Sequence, residues 1–237
     1  MYDWSRELKF PMMAGSSVSI TFRRPELDYP LGVEFEDALM VGGGWISDGG
    51  IFHNLETLQC FVERRKGGET GIRAVHHLEK DAVWKAAEEG RWSKELMTAA
   101  LKRAQRLGTG RPEDVKQPVV CLLEYNDGFR AAVLMLGGLV NEYLVAFRVK
   151  GRPAIDSTLC YIPTENSNNF SMLVHGIAQM FETGKPSHPV ERTLLTTGAL
   201  SFLMESAHQG HKRVETPMLK VSYKPPGQSF YAHGRGS

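Results

Sequence analysis

Several features that mark common functional classes are missing from this chain. The formal net charge is only +1, and the longest unbroken basic run is Arg64-Arg65-Lys66. Phosphate binding needs a concentrated positive face, so nucleic acid is not expected as a partner. No apolar run approaches the roughly 20 residues that span a bilayer. The N-terminal MYDWSRELKF has mixed charge and lacks the apolar segment of a signal peptide. These absences predict a cytoplasmic protein that does not enter a membrane.

Motifs of familiar catalytic and metal sites are also missing. The sequence contains no G-x-G-x-x-G loop, no G-x-S-x-G elbow and no H-E-x-x-H pair. A hydrolytic mechanism therefore finds little support, and no metal site is expected. Cysteine is scarce, and the three cysteines lie far apart in apolar stretches, which favours reduced core residues: Cys60, Cys121 and Cys160.

The length of 237 residues predicts one large domain, or one domain with a fragment attached, and hydrophobic periodicity predicts an α+β protein. The segment 117–164 contains four β-rich runs with short connections, and Asn126-Asp127-Gly128 between the first two is a strong hairpin signal. We expect an antiparallel meander there, in a mostly antiparallel open-faced sheet with helices on one face. Further strands are predicted at 11–15, 36–44, 70–80 and 217–223, and helices at 2–9, 53–66, 81–89, 93–106, 168–183 and 190–208.

The stretch SDGGIFHNLETLQ, residues 47–59, contains the strongest site candidates. One interpretation makes Asp48 and His53 an acid–base pair, since a carboxylate would orient an imidazole that exchanges protons near neutral pH. The other makes them a turn and a helix start, and spacing alone favours this second interpretation. A phosphate-binding loop at 41–50 is a weaker alternative, because the glycines lack the dinucleotide spacing.

Other polar residues are weaker candidates. Arg23 and Arg24, after a predicted strand, are candidates for binding a substrate phosphate or carboxylate. The simpler interpretation is that both are solvent-exposed at the start of an extended connecting segment. His76 and His77 alternate along a strand and therefore face opposite sides, so they cannot form one metal site together.

The stretch PVERTLLTTGALSFLMESAHQGHKRVETPMLKVSY, residues 189–223, resembles the C-terminal end of the Gfo/Idh/MocA family of glucose–fructose oxidoreductase and inositol dehydrogenase-like proteins. The preceding MLVHGIAQMFETGKP is similar to the helix before that end. In the family, a signature near D-x-G-x-H opens a helix of the C-terminal α+β domain, and SDGGIFHNLETLQ looks like a variant of it. The resemblance extends more loosely over 36–80.

The resemblance implies roles for individual residues. His53 matches the family's site histidine, and Asp48 is the nearest match to its aspartate, although their spacing is one residue longer than usual. In the family these residues contact a sugar-like hydroxyl and assist proton transfer while hydride passes to NAD or NADP. That chemistry also uses a lysine from an E-K-P-like motif and a G-x-G-x-x-G loop, and the sequence has neither.

The N-terminal MYDWSRELKFPMMAGSSVSITFRRP resembles the last helix and strand of the family's nucleotide-binding domain. We therefore expect residues 1–25 to be a remnant of that Rossmann-type domain and 26–237 to be the C-terminal substrate-binding and oligomerisation domain. The resemblance implies a sugar-like or polyol substrate, with NAD or NADP only in a full-length protein and no activity for this chain alone.

The alternative hypothesis is a non-catalytic binding or assembly module. The open face of the 117–164 sheet needs a cover, and a homo-oligomer paired through that face would supply one. The apolar residues expected to be buried against the partner subunit are Val119, Cys121, Leu123, Val133 and Met135.

Overall fold

The computed structural model describes residues 1–43, 47–163 and 170–234. Its helices are α1 (Tyr2–Glu7), α2 (Asp48–Val62), α3 (Asp81–Glu88), α4 (Lys94–Leu101), α5 (Ser171–Thr183) and α6 (Glu191–His208). Its strands are β1 (Phe22–Arg24), β2 (Phe35–Gly42), β3 (Ile72–Glu79), β4 (Val119–Tyr125), β5 (Arg130–Met135), β6 (Tyr143–Val149), β7 (Asp156–Tyr161) and β8 (Val214–Glu215). Short 3₁₀ turns lie at Ser17–Ile20, Pro112–Asp114 and Pro217–Leu219.

The strands form one sheet in the order β1-β7-β6-β2-β5-β4-β3-β8. All four strands of the predicted meander form, but the meander itself is wrong, because β2 lies between β5 and β6. It pairs parallel with β5, from Ala38 opposite Ala131 to Gly42 opposite Met135, and antiparallel with β6. The continuous apolar run of β2 is typical of such a central strand, which is buried on both faces.

Helices cover both faces of this sheet. Met40 of β2 packs in the cluster that includes Leu55 of α2 and Leu195 of α6. Its neighbour Leu39 packs in a second cluster with Leu96 of α4. Alternate residues of one strand thus meet helices on opposite sides. The mostly antiparallel α+β class is confirmed, whereas the expectation of helices on one face is corrected.

The surface predicted to pair two subunits is already covered within the chain. Helices α2 and α6 lie over it, so it offers no open apolar face for a partner. Each of the five residues expected there is at most 3% exposed: Val119, Cys121, Leu123, Val133 and Met135. The pairing surface inferred from the sequence is therefore wrong. An apolar stripe is exposed elsewhere, on and beside α5, at Phe170, Val174, Ile177 and Phe181.

Three further predictions need local correction. Residues 11–15 form no strand, and 217–223 contains a 3₁₀ turn rather than a strand, with β8 lying just before it. Helix α2 begins at Asp48 instead of His53, because the Ser47 hydroxyl accepts a hydrogen bond from the Gly50 amide and caps it. The cysteines are free and buried, as predicted.

The predicted domain boundary falls next to a paired strand. Strand β1 pairs antiparallel with β7, with Phe22 opposite Tyr161, so residues before position 25 contribute to the same sheet as residues after it. The Ser17–Ile20 turn contacts α2. Among the described residues, no helix has the length and apolarity needed to cross a membrane.

Candidate functional site

Helix α2 separates the two residues of the predicted acid–base pair. Asp48 is the first residue of the helix and is exposed, whereas His53 lies more than a turn later and is half-buried. Five residues at 3.6 per turn rotate the two side chains by about 140° from each other. Within the described part of the chain, no hydrogen bond joins them. Asp48 and His53 therefore do not form a pair, and His53 has a different partner.

That partner is Ser16, which the sequence did not single out. The Ser16 hydroxyl lies 2.7 Å from Nδ1 of His53, and the ring of Tyr143 stands edge-on to the imidazole at a centroid distance of 6.5 Å. Burial lowers the pKa of His53 below its ordinary value, so the ring is neutral at pH 7. A neutral, half-exposed imidazole held at one nitrogen is suited to accept a proton at the other.

Backbone contacts hold Ser16 in place. Its hydroxyl accepts a hydrogen bond of 3.1 Å from the Val18 amide, and its own amide donates to Oε2 of Glu56 at 3.4 Å. Gly15 has φ of +141°, and a Cβ there would lie 2.7 Å from Oε2 of Glu56. Only glycine allows this close approach to α2. The Gly15-Ser16-Ser17 segment, where the strand predicted for 11–15 was expected to stop, is thus part of the site.

Beneath His53, α2 carries a buried carboxyl group. Glu56 is fully buried and accepts a hydrogen bond from the Thr196 hydroxyl of α6. Burial raises the pKa of Glu56, with hydrogen bonding to Thr196 acting in the opposite direction. Gln59, one turn further along α2, is also buried and donates a hydrogen bond to Tyr223. Glu63, the residue that ends the helix, is buried and accepts hydrogen bonds from Arg192 and Tyr223. This inward polar stripe holds α2, and with it His53, against α6.

The glycine-rich segment before α2 is explained by packing. A Cβ on Gly42 would lie 2.2 Å from the Asn54 side chain, and one on Gly43 would lie 1.1 Å from the Val140 carbonyl oxygen. These two glycines are needed for close contact with α2 and with the chain before β6. Gly44, Trp45 and Ile46 lie outside the described residues.

The two predicted arginines differ in their surroundings. The guanidinium of Arg23 lies between the rings of Phe61 and Tyr231, at 4.1 and 3.7 Å from their centroids, and its side chain is 2% exposed. It donates a hydrogen bond to the Leu27 carbonyl and pairs with Asp28. These contacts place Arg23 inside the protein, away from any ligand in solvent.

Arg24 is half-buried and lies over the ring of Tyr161, 3.3 Å from its centroid. Tyr161 lines a cavity of about 310 Å³ together with Tyr143, the residue that borders His53. The other polar residues of its lining are Gln105, Arg106, Asn141 and Glu142. Aromatic faces combined with amide, guanidinium and carboxylate groups suit a polyhydroxylated ligand.

Four other histidines lie away from this site. His76 and His77 face opposite sides of β3, as predicted: Arg91 contacts His76, whereas His77 is buried beside α6. His175 stacks on Phe230 at a centroid distance of 6.2 Å. The sequence did not reveal that His211 packs against His77.

Comparison with known proteins gives structural similarity only. No family model and no curated protein matches the sequence. The chain is similar to a solved structure named as an NADPH-dependent oxidoreductase, from Desulfitobacterium hafniense, over 92% of this chain and 68% of that one, with 10% identity and a TM-score of 0.47.

Two further solved structures are similar. Myo-inositol 2-dehydrogenase from Lactobacillus plantarum matches over 78% of this chain and 57% of its own, with 11% identity and a TM-score of 0.45. Aldose-aldose oxidoreductase from Caulobacter crescentus, complexed with glycerol, matches over 77% and 56%, with 14% identity and a TM-score of 0.39. The chain thus spans little more than half the length of these two proteins.

Proposed function

We propose that this chain is the substrate-binding region of a Gfo/Idh/MocA-like oxidoreductase that acts on a sugar-like or polyol substrate. The observation that carries the proposal is the half-buried His53, held at Nδ1 by Ser16 and bordered by Tyr143, which also lines the polar cavity. The resemblance of 189–223 to the family's C-terminal end supports the same function. The division into a remnant, 1–25, and a C-terminal domain, 26–237, is part of the proposal.

His53 is assigned the proton transfer. When Nδ1–H donates to the Ser16 hydroxyl oxygen, the lone pair on Nε2 is free to accept the proton of a substrate hydroxyl. Ser16 is a positioning residue that holds the ring plane, and in this proposal its oxygen accepts from Nδ1–H. Arg24, packed on Tyr161 of the cavity lining, is proposed to contact substrate, whereas the packing of Arg23 assigns it to the core. Asp48, exposed at the helix start, has no step in this proton transfer.

The residues that the structure describes do not fit a dinucleotide cofactor. Gly42 and Gly43 are occupied by packing contacts, and the sequence has neither a G-x-G-x-x-G loop nor an E-K-P-type lysine. NAD or NADP therefore belongs, in this proposal, to a full-length protein. No hydride-transfer step is derived from the residues present.

Binding of a polyol at His53 tests the proposal. We expect isothermal titration of the chain with myo-inositol, D-glucose and D-sorbitol to show saturable binding of at least one of them. His53→Asn and Tyr143→Phe should each weaken that binding, and His53→Asn by about tenfold, since a lost hydrogen bond to a polar ligand costs on the order of 1.4 kcal/mol. The matched control is His175→Asn, also a helical histidine, which should bind as the unaltered chain does.

Two outcomes would contradict the proposal. One is an absence of saturable binding for the whole panel. The other is binding that His53→Asn and Tyr143→Phe leave unchanged, since the ligand would then occupy another surface.

Self-association is the second candidate function. The exposed stripe of Phe170, Val174, Ile177 and Phe181 favours it, because a contiguous exposed apolar surface is a common interface for a second copy of the same chain. Sedimentation equilibrium of the unaltered chain and of Phe181→Ser is the corresponding experiment, and a monomer in both would exclude this interface.

A further inference from the structure

A second cluster of titratable side chains lies at the β3 edge of the sheet, where the turn after α6 meets the strand. It consists of His77 and Glu79, two residues apart on the same face of β3, and His211 from the turn. One ligand atom from each lies within 4.8 Å of those from the other two. We propose that these three residues bind a divalent transition-metal ion of the zinc type.

Distances within the cluster fit a site that closes on a small ion. Nδ1 of His77 lies 3.9 Å from Oε1 of Glu79, and Nε2 of His211 lies 3.9 Å from Oε2 of the same carboxylate. Zinc bonds of about 2.0–2.2 Å to nitrogen and oxygen place tetrahedral ligand atoms about 3.4 Å apart. A shift of less than about 1 Å brings the carboxylate oxygens to that separation. The Glu79 and His211 side chains are 41% and 37% exposed, so both have room for this shift.

Hydrogen bonding leaves Nε2 of His211, the nitrogen nearest Glu79, available to bind a metal ion. Its Nδ1 lies 3.2 Å from the carbonyl oxygen of His77, so Nδ1–H donates there and the lone pair remains on Nε2. A metal-binding histidine commonly donates its other ring N–H to a carbonyl in this way, which fixes both tautomer and ring orientation. Nδ1 of His77 lies 3.3 Å from Nδ1 of His211, and the two rings are stacked.

Hydrogen bonds hold the turn that carries His211 against β3. The buried Ser206 hydroxyl accepts a hydrogen bond of 3.0 Å from the His77 amide and donates one to the Lys212 carbonyl. Nε2 of His76 also donates to the His211 carbonyl, at 2.7 Å. Ligands from two separate parts of the chain are therefore held together before any ion binds, which reduces the ordering cost of binding.

Charge and donor type favour zinc over calcium or magnesium. The buried His77 presents Nδ1, an imidazole nitrogen, to the cluster. Two imidazole nitrogens and one carboxylate suit zinc, whereas calcium and magnesium prefer oxygen ligands throughout. Three protein ligands with a solvent-exposed side leave a fourth position for water.

Zinc titration of the whole chain tests this inference. After treatment with EDTA and dialysis, isothermal titration with zinc chloride at neutral pH should show one ion bound per chain. Glu79→Gln and His211→Asn should each weaken zinc binding by about tenfold or more. Asparagine is chosen at position 211 because it tolerates the φ of +61° found there. The control is His208→Asn, an exposed histidine at the end of α6, which should leave zinc affinity unchanged.

Two results would overturn the inference. No saturable zinc binding would mean that Glu79 and the histidines form only a pH-dependent ion pair. Binding of equal affinity in Glu79→Gln, His211→Asn and the unaltered chain would place the ion on other residues. Circular dichroism of each variant confirms that it is folded, and the inference does not depend on His53.

Discussion

Arg192→Met is expected to lower the free energy of unfolding by about 3–5 kcal/mol, because it leaves a buried carboxylate without its counter-ion. Nε and one terminal nitrogen of Arg192 donate to the two oxygens of Glu63, at 2.8 and 2.6 Å. Both side chains are at most 5% exposed, so water cannot replace the lost partner. Methionine retains the apolar stem of arginine, which confines the change to the charge. Urea denaturation measures the difference.

An exposed pair provides the comparison for Arg192. Arg111 and Asp114 form an ion pair at 3.0 Å, with side chains 77% and 52% exposed. Arg111→Met should change the free energy of unfolding by less than about 1 kcal/mol. Adding Glu63→Gln to Arg192→Met should recover part of the loss, since it removes the uncompensated charge. A cost for Arg192→Met as small as that for Arg111→Met would show that the pair does not hold α2 to α6.

Acid is expected to destabilise the protein through His188, by about 3 kcal/mol between pH 7 and pH 4. His188 is 4% exposed, and burial together with the adjacent Arg192 lowers its pKa to about 4, from 6.5. Its Nε2–H donates to the Ala14 carbonyl at 3.0 Å, which holds the segment before Ser16. Between these pKa values the unfolded chain binds a proton that the folded chain does not, so stability falls as the pH is lowered.

His188→Gln isolates this contribution. Glutamine retains an N–H donor for the Ala14 carbonyl but does not titrate. The loss of unfolding free energy between pH 7 and pH 4 should be smaller in His188→Gln than in the unaltered chain by about 3 kcal/mol. Other groups with shifted pKa values, such as Glu56 and His53, contribute to both proteins and cancel in the difference. Equal pH dependence in the two proteins would show that His188 is not held neutral.

Local sequence patterns predicted local structure well. The hairpin signal of Asn126-Asp127-Gly128 lies between β4 and β5, as expected, and the Ser93 hydroxyl caps α4 by accepting from the Leu96 amide. The position of β2 between β5 and β6 was not predictable in this way. Strand propensity describes one segment at a time, whereas the choice of neighbour depends on residues about 100 positions away, such as Ala131 opposite Ala38.

In the candidate site, too, local features were predicted from the sequence and long-range contacts were not. The sequence identified His53 through its setting and the family resemblance, but it paired the histidine with Asp48, five residues away in the same helix. The actual partner, Ser16, is 37 residues away and is brought to α2 by the close approach at Gly15. Likewise, His77 and His211 are separated by 134 residues, and the turn after α6, which is hydrogen-bonded to β3, brings them together. Spacing along the chain carries no signal for either contact.

The buried polar stripe of α2 was missed for a related reason. Glu56, Gln59 and Glu63 recur at helical spacing, a pattern that from sequence alone is typical of a solvated face. They are buried because α6 and the C-terminal segment supply matching donors: Thr196, Arg192 and Tyr223. Only the tertiary arrangement shows that a polar face points inward.

The protonation state of His53 is the measurement that tests the proposed site most directly. Nuclear magnetic resonance of the ring nitrogens, assigned by their loss in His53→Asn, gives both the pKa and the neutral tautomer. We expect a pKa below 6.5, with the proton on Nδ1 and the lone pair on Nε2. Ser16→Ala should alter the tautomer ratio, whereas Ser16→Thr, which retains the hydroxyl, should preserve it. A pKa above 6.5, or a neutral ring protonated at Nε2, would contradict the role of His53 as the base.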